Sequence, residues 1–156
     1  MIKDKILVEL AKAGDAEEIS SFSRDEIEFG FSWVWQEYKI IKAIFSDDTN
    51  VVVARLDGMM AGFGLMKYHS EYANIDLLGT KSEFRRLGVA TSVVQWLEKA
   101  ALVAGIGTIT VQVREINQGA IALYQRLGFE IVDKVPGYYS SKETGLIFSK
   151  NVWAST

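Results

Sequence analysis

Two arginines and a glycine stand where an apolar, strand-like stretch gives way to a helical one. The sequence FRRLGVAT covers residues 84–91, and the helical run SVVQWLEKAALVAG follows it. The start of a helix offers free backbone N–H groups and a partial positive charge, which together attract phosphate. Gly88 and Ala90 are small enough to let a ligand approach the backbone, and Arg85 or Arg86 can add charge-assisted contacts. The stretch predicts a phosphate-binding loop, with a solvated turn as the alternative.

A second pattern, N-x-x-A-x-x-L-Y-x-x-x-G-F, runs from Asn117 to Phe129. Asn117 suits a helix N-cap, and Gly128 suits the left-handed position just after a helix. Tyr124 within this helix can point its hydroxyl into a cleft and donate a proton. It can also be a core tyrosine, and the helix pattern alone leaves both interpretations open.

The composition excludes several other kinds of site. The chain has 156 residues, a net charge of −3, one histidine and no cysteine. Disulfides, thiol catalysis and zinc–thiolate sites are therefore excluded, and a lone histidine argues against a metal centre. The slightly acidic balance argues against nucleic acid as the main partner. Neither a signal-peptide core nor an apolar run of about 20 residues is present, so we expect a cytoplasmic protein without a membrane partner.

Hydrophobic periodicity places the two motifs within alternating strand-like and helical stretches. Residues 50–69 are predicted to form a hairpin of two strands that turns at Asp57 and Gly58. Further strands are predicted over residues 5–10, 72–80, 107–113, 129–135 and 144–153. Helices are predicted over residues 14–27, with Asp15 as N-cap and Glu18 three residues on, and over 33–46, 92–105 and 117–129.

This order of elements predicts an α/β (α+β) fold made of a single domain over all 156 residues. The expected sheet is mixed and mostly antiparallel, with about six to seven strands flanked by about four helices. The strand–helix–strand unit over residues 73–113 is expected to be parallel with a right-handed crossover. Residues 136–143, PGYYSSKE, are expected to form the loop that joins the last two strands.

The two motifs, in this order and about 30 residues apart, resemble the GNAT superfamily of acetyl-CoA-dependent N-acetyltransferases. The R-x-x-G-x-A loop is similar to the family's pyrophosphate-binding signature, and residues 117–129 are similar to its next motif. The resemblance extends from about Val51 to Val152, and the order of the elements agrees with it. It implies a GNAT-like fold and transfer of acetyl from acetyl-CoA to a primary amine.

The resemblance also implies a role for each matched residue. Backbone groups would hold the pantetheine arm and the pyrophosphate of acetyl-CoA; they belong to Leu78, Gly79 and Thr80, and to Arg85, Arg86, Leu87, Gly88, Val89, Ala90 and Thr91. An N–H group near Leu78 would stabilise the oxyanion, Asn117 would contact the cofactor arm, and Tyr124 would protonate the departing thiolate. Direct attack by the amine requires no cysteine nucleophile.

Within the superfamily the chain is most similar to ribosomal-protein alanine N-acetyltransferases, through VQVREINQGAIALYQRLGFEIV and PGYYSSKETGLIFSK. That similarity implies that Tyr138 and Tyr139 line a slot for a peptide N-terminus. A packing turn is the alternative interpretation of the pair. Residues 29–38, FGFSWVWQEY, lie where acceptor-binding helices are expected, so Trp33 and its aromatic neighbours could line an acceptor cleft, a dimer contact or the core.

One position departs from that pattern. Gln112 stands where those enzymes carry a glutamate thought to act as the base, and an amide cannot accept a proton from an ammonium. Asp76 is a candidate replacement because it lies two residues from Leu78, on the same face of its strand. Its alternative interpretation is an exposed strand carboxylate. A water chain or one of three further side chains could also serve: His69, Glu71 and Glu115.

Several functions therefore remain open at the level of sequence. The leading one is an N-acetyltransferase that acts, as a monomer or homodimer, on a peptide N-terminus or on a small amine. The second is a non-catalytic acyl-CoA-binding regulatory domain, which Gln112 favours. The third is a nucleotide-binding protein that uses the same loop, although the chain has no magnesium-binding motif.

Overall fold

The computed structural model describes residues 5–139 and 143–153, which form one seven-stranded sheet and four α-helices. The strands are β1 (Leu7–Leu10), β2 (Thr49–Leu56), β3 (Met59–Tyr68), β4 (Ala73–Thr80), β5 (Thr108–Arg114), β6 (Glu130–Tyr139) and β7 (Glu143–Asn151). The helices are α1 (Ala16–Phe22), α2 (Glu37–Ile44), α3 (Val89–Val103) and α4 (Gln118–Arg126).

The strands follow the order β1-β2-β3-β4-β5-β7-β6. The pair β4 and β5 is parallel, and the pairs β1–β2, β2–β3, β5–β7 and β6–β7 are antiparallel. The predicted fold class, a mostly antiparallel sheet with one parallel strand–helix–strand unit, is confirmed.

Two compact units share this sheet. The first contains the chain up to Lys67 together with Leu77–Leu97, and the second contains Tyr68–Asp76 and the chain from Glu98 onward. Strand β4 thus contributes its first half to the second unit and its second half to the first. The sequence-based prediction of a single domain stays a prediction.

The first unit is built on the β2–β3 hairpin, which turns at the predicted dipeptide. Asp57 and Gly58 both have positive φ, 53° and 77°, as the tight two-residue turns of hairpins require. One side of these strands packs on α1 and α2 through a core that includes Ile19, Ile40 and Phe63. This burial of apolar surface is the main stabilising contribution.

Helix α3 lies close to the backbone of β3 because β3 carries glycines at the contact. A Cβ added at Gly62 would lie 2.7 Å from a methyl of Val89, and one added at Gly64 would lie 2.6 Å from a methyl of Val93. Real Cβ atoms do not approach so closely, so any larger residue would push α3 away from the strand. The start of α3 is thereby fixed against the sheet.

In the second unit, α4 packs on β7. Ile109 and Phe148 are fully buried there, and Tyr124 of α4 packs on Phe148 with ring centroids 5.9 Å apart. The predicted ends of α4 are confirmed: the Asn117 side chain accepts from the Ala120 N–H at 3.1 Å, and Gly128 has φ 91°. The Phe129 N–H returns to the Tyr124 carbonyl at 2.9 Å, which completes a Schellman motif.

The prediction of one continuous helix over residues 14–27 is wrong. This stretch divides into a 3₁₀ turn (Ala13–Asp15), α1 and a π-helical turn (Ser23–Ile27). The π turn forms because the Glu28 N–H donates to the Ser23 carbonyl at 2.6 Å while the Ser23 hydroxyl donates to the Glu28 carboxylate. Asp15 stands at the predicted N-cap position of α1, but its carboxylate makes no capping hydrogen bond there and accepts from the Lys12 N–H and from Arg55 instead.

Three other boundaries differ from prediction. Helix α2 begins at Glu37, not at residue 33, because the Glu28 carboxylate accepts from the N–H groups of Val34 and Trp35, at 2.7 and 3.3 Å. Helix α3 begins at Val89, three residues early, directly after left-handed Gly88. Strand β6 continues to Tyr139 through Pro136, which an edge strand with irregular pairing tolerates.

Candidate active site

The loop before α3 contains two left-handed residues and leads directly into the helix. Arg86 and Gly88 adopt left-handed conformations with φ of 65° and 83°. The Ser92 N–H donates to the Gly88 carbonyl at 3.0 Å, as the first bond of the helix. The N–H groups of Val89, Ala90 and Thr91 therefore lie outside the hydrogen-bond ladder of the helix, where an anion can accept them.

The same loop is open to a ligand. Arg85, Arg86, Leu87 and Gly88 are exposed, and a Cβ added at Gly88 would meet nothing within 4 Å. Because the space at Gly88 is open, a phosphate has room to approach the backbone there, and the same loop carries two exposed arginines. These are features of a diphosphate-binding loop.

Strand β4 carries the residues that the resemblance assigned to the pantetheine arm. Leu78 and Thr80 lie on its half-buried face, and Gly79 lies on the opposite, buried face. A Cβ at Gly79 would lie 2.7 Å from the Phe63 ring and 2.9 Å from the Phe22 ring. Close packing in the core thus explains why position 79 is glycine.

Tyr124 and Asn117, both predicted at the cofactor site, belong to the second unit. Tyr124 is 3% exposed, and its ring lies edge-on to Phe129 with centroids 5.2 Å apart. Desolvation by this burial raises the pKa of Tyr124 far above its usual range, so the phenol keeps its proton. Asn117 is exposed, and its side-chain oxygen is engaged by the helix cap.

A pocket of about 510 Å³ lies in the second unit. It is lined by His69, Tyr72, Asn74, Asp76, Thr110, Gln112, Tyr138 and Ile147. The pocket brings together four residues that the sequence analysis singled out: His69, Asp76, Gln112 and Tyr138. Its volume falls in the range of about 300–1,000 Å³ that small-molecule sites occupy.

Four polar side chains form one hydrogen-bonded network in this pocket. The Asn74 amide nitrogen donates to Asp76 Oδ1 at 2.6 Å and to Gln112 Oε1 at 3.0 Å. The Asn74 amide oxygen accepts from the Thr110 hydroxyl at 2.6 Å and from Gln112 Nε2 at 2.8 Å. Asp76, predicted from the sequence as a base or as an exposed carboxylate, is half-buried and held by an amide.

The two adjacent tyrosines differ in their surroundings. Tyr138 lines the pocket and covers Gly145, where a Cβ would lie 2.7 Å from its ring. Tyr139 is absent from that lining and meets Tyr138 edge-on, with centroids 4.8 Å apart. Burial raises the pKa of Tyr139 to about 12, with contributions from Tyr138 and Glu143 that outweigh the opposing charge of Arg114.

Trp33 lies in the first unit, on the segment that Glu28 holds. Its ring is half-buried, and the Arg24 guanidinium lies 5.4 Å from the ring centroid. Its indole nitrogen is buried and has no hydrogen-bond partner among residues 5–139 and 143–153. Trp33 is not among the residues that line the pocket of the second unit.

Sequence reasoning missed Asn74, Thr110, Tyr72 and Ile147 as parts of the site. The alternation of β4 carries a signal for Asn74, because residues two apart share one face of a strand. His69, one of the further candidates for the base, lies directly after strand β3. It is exposed there, but it also lines the pocket and stacks on Tyr72 with centroids 4.6 Å apart.

Residues 5–139 and 143–153 show neither a metal-binding cluster nor a membrane-spanning helix. They contain no group of three or more histidine, aspartate or glutamate side chains arranged to hold a metal ion. None of their helices is long and apolar enough to cross a bilayer.

Comparison with known proteins agrees with the fold and with the two motifs. Residues 16–129 match the Acetyltransferase (GNAT) family. An acetyltransferase from Pectobacterium atrosepticum is 30% identical over 101 residues, which are 65% of this chain and 72% of that protein.

Solved structures show the same fold at lower identity. The ribosomal-protein-S18-alanine N-acetyltransferase from Escherichia coli has a TM-score of 0.82 and 19% identity, covering 95% of this chain and 94% of that one. Arabidopsis thaliana NAA60 in complex with acetyl-CoA has a TM-score of 0.81 and 19% identity, covering 94% and 98% of the two chains. The chain therefore belongs to the GNAT family and is an N-acetyltransferase.

Proposed function

We propose that the protein transfers the acetyl group of acetyl-CoA to a primary amine, with the N-terminus of a protein or peptide as the leading acceptor. The observation that carries the proposal is the polar pocket of the second unit. There Asp76 lies beside two amides, a hydroxyl and aromatic rings. A carboxylate in such a place can attract an ammonium group and accept its proton.

The loop before α3 supports acetyl-CoA as the donor. Left-handed Arg86 and Gly88, the open backbone beside them and two exposed guanidinium groups suit a diphosphate. Arabidopsis thaliana NAA60, which shares the fold, is described in complex with acetyl-CoA. In this proposal the pyrophosphate is held by backbone N–H groups of residues 86–91 and the pantetheine arm by backbone groups of Leu78, Gly79 and Thr80.

The reaction needs one proton acceptor and one proton donor. Asp76 accepts a proton from the acceptor ammonium, directly or through water. The free amine attacks the thioester carbonyl and a C–N bond forms. The C–S bond then breaks, the thiolate leaves, and the nitrogen gives its second proton to water, from which Tyr124 recovers the proton that it donates. Tyr124 donates a proton to that thiolate, for which it is suited because burial keeps its phenol protonated. No covalent enzyme intermediate is required.

The charge of the pocket supports a peptide over a free amino acid. Among the described residues that line it, Asp76 is the only acidic one, and none is a lysine or an arginine. An acceptor with a carboxylate next to its amine would bring like charges together without a compensating cation. In a peptide that carboxylate has become an amide. The fold is also that of the Escherichia coli enzyme named for a ribosomal-protein alanine.

A small amine without a carboxylate is the second candidate acceptor. The pocket volume of about 510 Å³ favours it, since this space suits a compact ligand as well as the first residues of a peptide. A small amine fits wholly inside the pocket, whereas a peptide acceptor extends beyond it. Measuring turnover with peptides of increasing length therefore distinguishes the two candidates.

Calorimetry and a turnover assay test the proposal together. We expect acetyl-CoA to bind, desulfo-CoA to bind comparably, and ATP to bind more weakly. We then expect thiol release with peptides that begin with Ala, Ser or Met, and none with the same peptides blocked at the N-terminus. Release with small amines alone would assign the second candidate. Binding without release for any amine would contradict catalysis and support an acyl-CoA sensor.

A further inference from the structure

The geometry points to Asn74 as a positioning residue that holds Asp76 in place as the base, with Gln112 and Thr110 fixing Asn74 in turn. This inference rests on the proposed function, because it concerns the proton transfer from the acceptor amine. It also gives a physical reason for the amide at position 112, where the resemblance noted from the sequence implies a glutamate.

Every hydrogen-bonding group of the Asn74 side chain is used. Its oxygen has two acceptor sites, and the Thr110 hydroxyl and Gln112 Nε2 occupy them at 2.6 and 2.8 Å. Its nitrogen has two hydrogens, which go to Asp76 Oδ1 at 2.6 Å and to Gln112 Oε1 at 3.0 Å. An amide with four satisfied bonds has one orientation and loses several bonds in any other.

The carboxylate sets the direction of the whole network. An ionised Asp76 can only accept hydrogen bonds, so the nitrogen of Asn74 has to face it. The oxygen of Asn74 then faces Thr110 and Gln112, both of which can donate. Gln112 completes the arrangement by pairing its own amide with that of Asn74 in both directions.

The backbone makes this network rigid. Strands β4 and β5 run parallel, with Asn74 directly opposite Thr110. Asp76 lies two residues after Asn74, and Gln112 lies two residues after Thr110. Buried and half-buried positions alternate along both strands, and all four of these residues occupy half-buried positions. A base held by strand residues keeps its position more precisely than one carried by a loop.

A carboxylate at position 112 would be incompatible with this arrangement. Gln112 Oε1 and Asp76 Oδ1 accept from the same Asn74 nitrogen, so an acid at position 112 would place two carboxylates around one donor. Two such groups do not both ionise readily, and one would keep its proton. The acid would also lack the N–H group that now satisfies the oxygen of Asn74. Glutamine therefore accompanies an aspartate at position 76.

The test compares Asn74→Leu and Asn74→Asp with the unmodified protein, and uses Gln125→Leu as control because Gln125 is exposed on α4. The first readout is the titration of Asp76, followed by carbon-13 NMR of its carboxyl carbon and assigned with Asp76→Asn. It needs no acceptor. His69, Tyr72 and Tyr138, the other titratable groups that line the pocket, are followed in the same samples.

We expect Asn74→Leu to move the midpoint of the Asp76 titration upward by about one pH unit, because the donor to its charged form is lost. Asn74→Asp should move it further, because it also places a second carboxylate beside Asp76. The acidic limb of kcat/KM should move by the same amount, while the affinity for acetyl-CoA stays within twofold. Gln125→Leu should change neither quantity. An unchanged midpoint in a folded Asn74→Asp variant would overturn the inference.

The NMR readout separates this inference from the proposed function. If no amine is acetylated by the unmodified protein, the proposed function fails, and the titration midpoint alone still decides whether Asn74 controls Asp76. If turnover is present and Asp76→Asn retains it fully, Asp76 is not the base. That outcome would overturn the positioning role of Asn74 as well.

Discussion

The side-chain amides of Asn74 and Gln112 pair with each other in both directions. Gln112 Nε2 donates to Asn74 Oδ1 at 2.8 Å, and Asn74 Nδ2 donates to Gln112 Oε1 at 3.0 Å. The pair joins β4 to β5 at the pocket and leaves one hydrogen of Asn74 for Asp76. Gln112, the residue that departs from the family pattern, is thus part of the hydrogen-bonded network of the pocket.

Moving the carboxylate from β4 to β5 tests whether the two positions exchange roles. We expect Asp76→Asn to lower kcat/KM by about 10²-fold or more, as loss of a general base does. The double variant Asp76→Asn/Gln112→Glu should recover a large part of that loss, because the new carboxylate meets the same Asn74 donor. The single variant Gln112→Glu should shift the acidic limb of the pH profile upward.

Full activity in Asp76→Asn, or no recovery in a double variant that folds and binds acetyl-CoA normally, would show that the base lies elsewhere. Glu115, whose carboxylate lies 2.6 Å from the Lys134 ammonium, and His69 would then be the next residues to replace.

Replacing Tyr124 with Phe tests the proton donor. The change removes one hydroxyl from a buried ring that packs on Phe129 and Phe148, so the fold should persist. We expect kcat to fall by about 10²-fold, the scale for losing a general acid. Steady-state kinetics at saturating acetyl-CoA measures it.

Tyr68→Phe is the matched control for Tyr124→Phe. Burial raises the pKa of Tyr68 as well, but the pocket lining does not include it. We expect its kcat to stay within a factor of about two. An equal kcat for Tyr124→Phe and the unmodified protein would remove Tyr124 from the mechanism.

Filling the space beside Gly88 tests the diphosphate loop. Gly88→Trp places a large side chain where an added Cβ meets nothing, next to the free N–H groups of α3. We expect the affinity for acetyl-CoA to fall more than tenfold in calorimetry. Gly105→Trp is the control, because Gly105 also has a positive φ, 78°, and open space.

Both glycine substitutions force a side chain into left-handed backbone and should cost about 1–2 kcal/mol of stability. Only Gly88→Trp should also lose acetyl-CoA. Equal affinity in the two variants would place the pyrophosphate elsewhere.

The acid sensitivity of the fold should include a contribution from Asp15. Partial burial alone would raise the pKa of Asp15, but hydrogen bonds from the Lys12 N–H and from Arg55 outweigh it and lower that pKa below its ordinary value of 3.8. A lowered folded-state pKa contributes stability that is present above pH 3.8 and is lost as the pH falls through the folded value.

Asp15→Ala should therefore reduce the free energy of unfolding at pH 7 by roughly 0.5–1 kcal/mol, allowing for solvent screening. Urea denaturation at neutral and acidic pH should show this difference shrinking as the pH falls below 3.8. Asp25→Ala, which removes an exposed ion pair with Arg24, should change little at either pH. A difference that grew at low pH would have the wrong sign for this account.

Much of the fold could be predicted because its signals are local. The hairpin turn at Asp57 and Gly58 needs two positive φ angles, and the cap residues Asn117 and Gly128 mark both ends of α4. Each follows from the conformational preference of one or two residues. The helix breaks near Ser23 and Glu28 could not be predicted, since they depend on where one carboxylate finds donors in the folded chain.

The candidate site also has one part that could be predicted from the sequence and one part that could not. The loop around Gly88 could be read from adjacent residues, because glycine and a helix start act locally. The network joins Asn74 to Thr110 and to Gln112, which lie 36 and 38 residues further along the chain. The register of two strands brings them together. Sequence alternation places Asn74 and Asp76 on one face but does not supply that register.

The most direct test of the central claim is mass spectrometry of an alanine-initiated peptide after incubation with acetyl-CoA and the protein. The account predicts one added acetyl group at the α-amine, formed in proportion to released thiol and reduced about 10²-fold or more by Asp76→Asn. An unmodified peptide, together with no acetylated product from any small amine in the presence of bound acetyl-CoA, would contradict it.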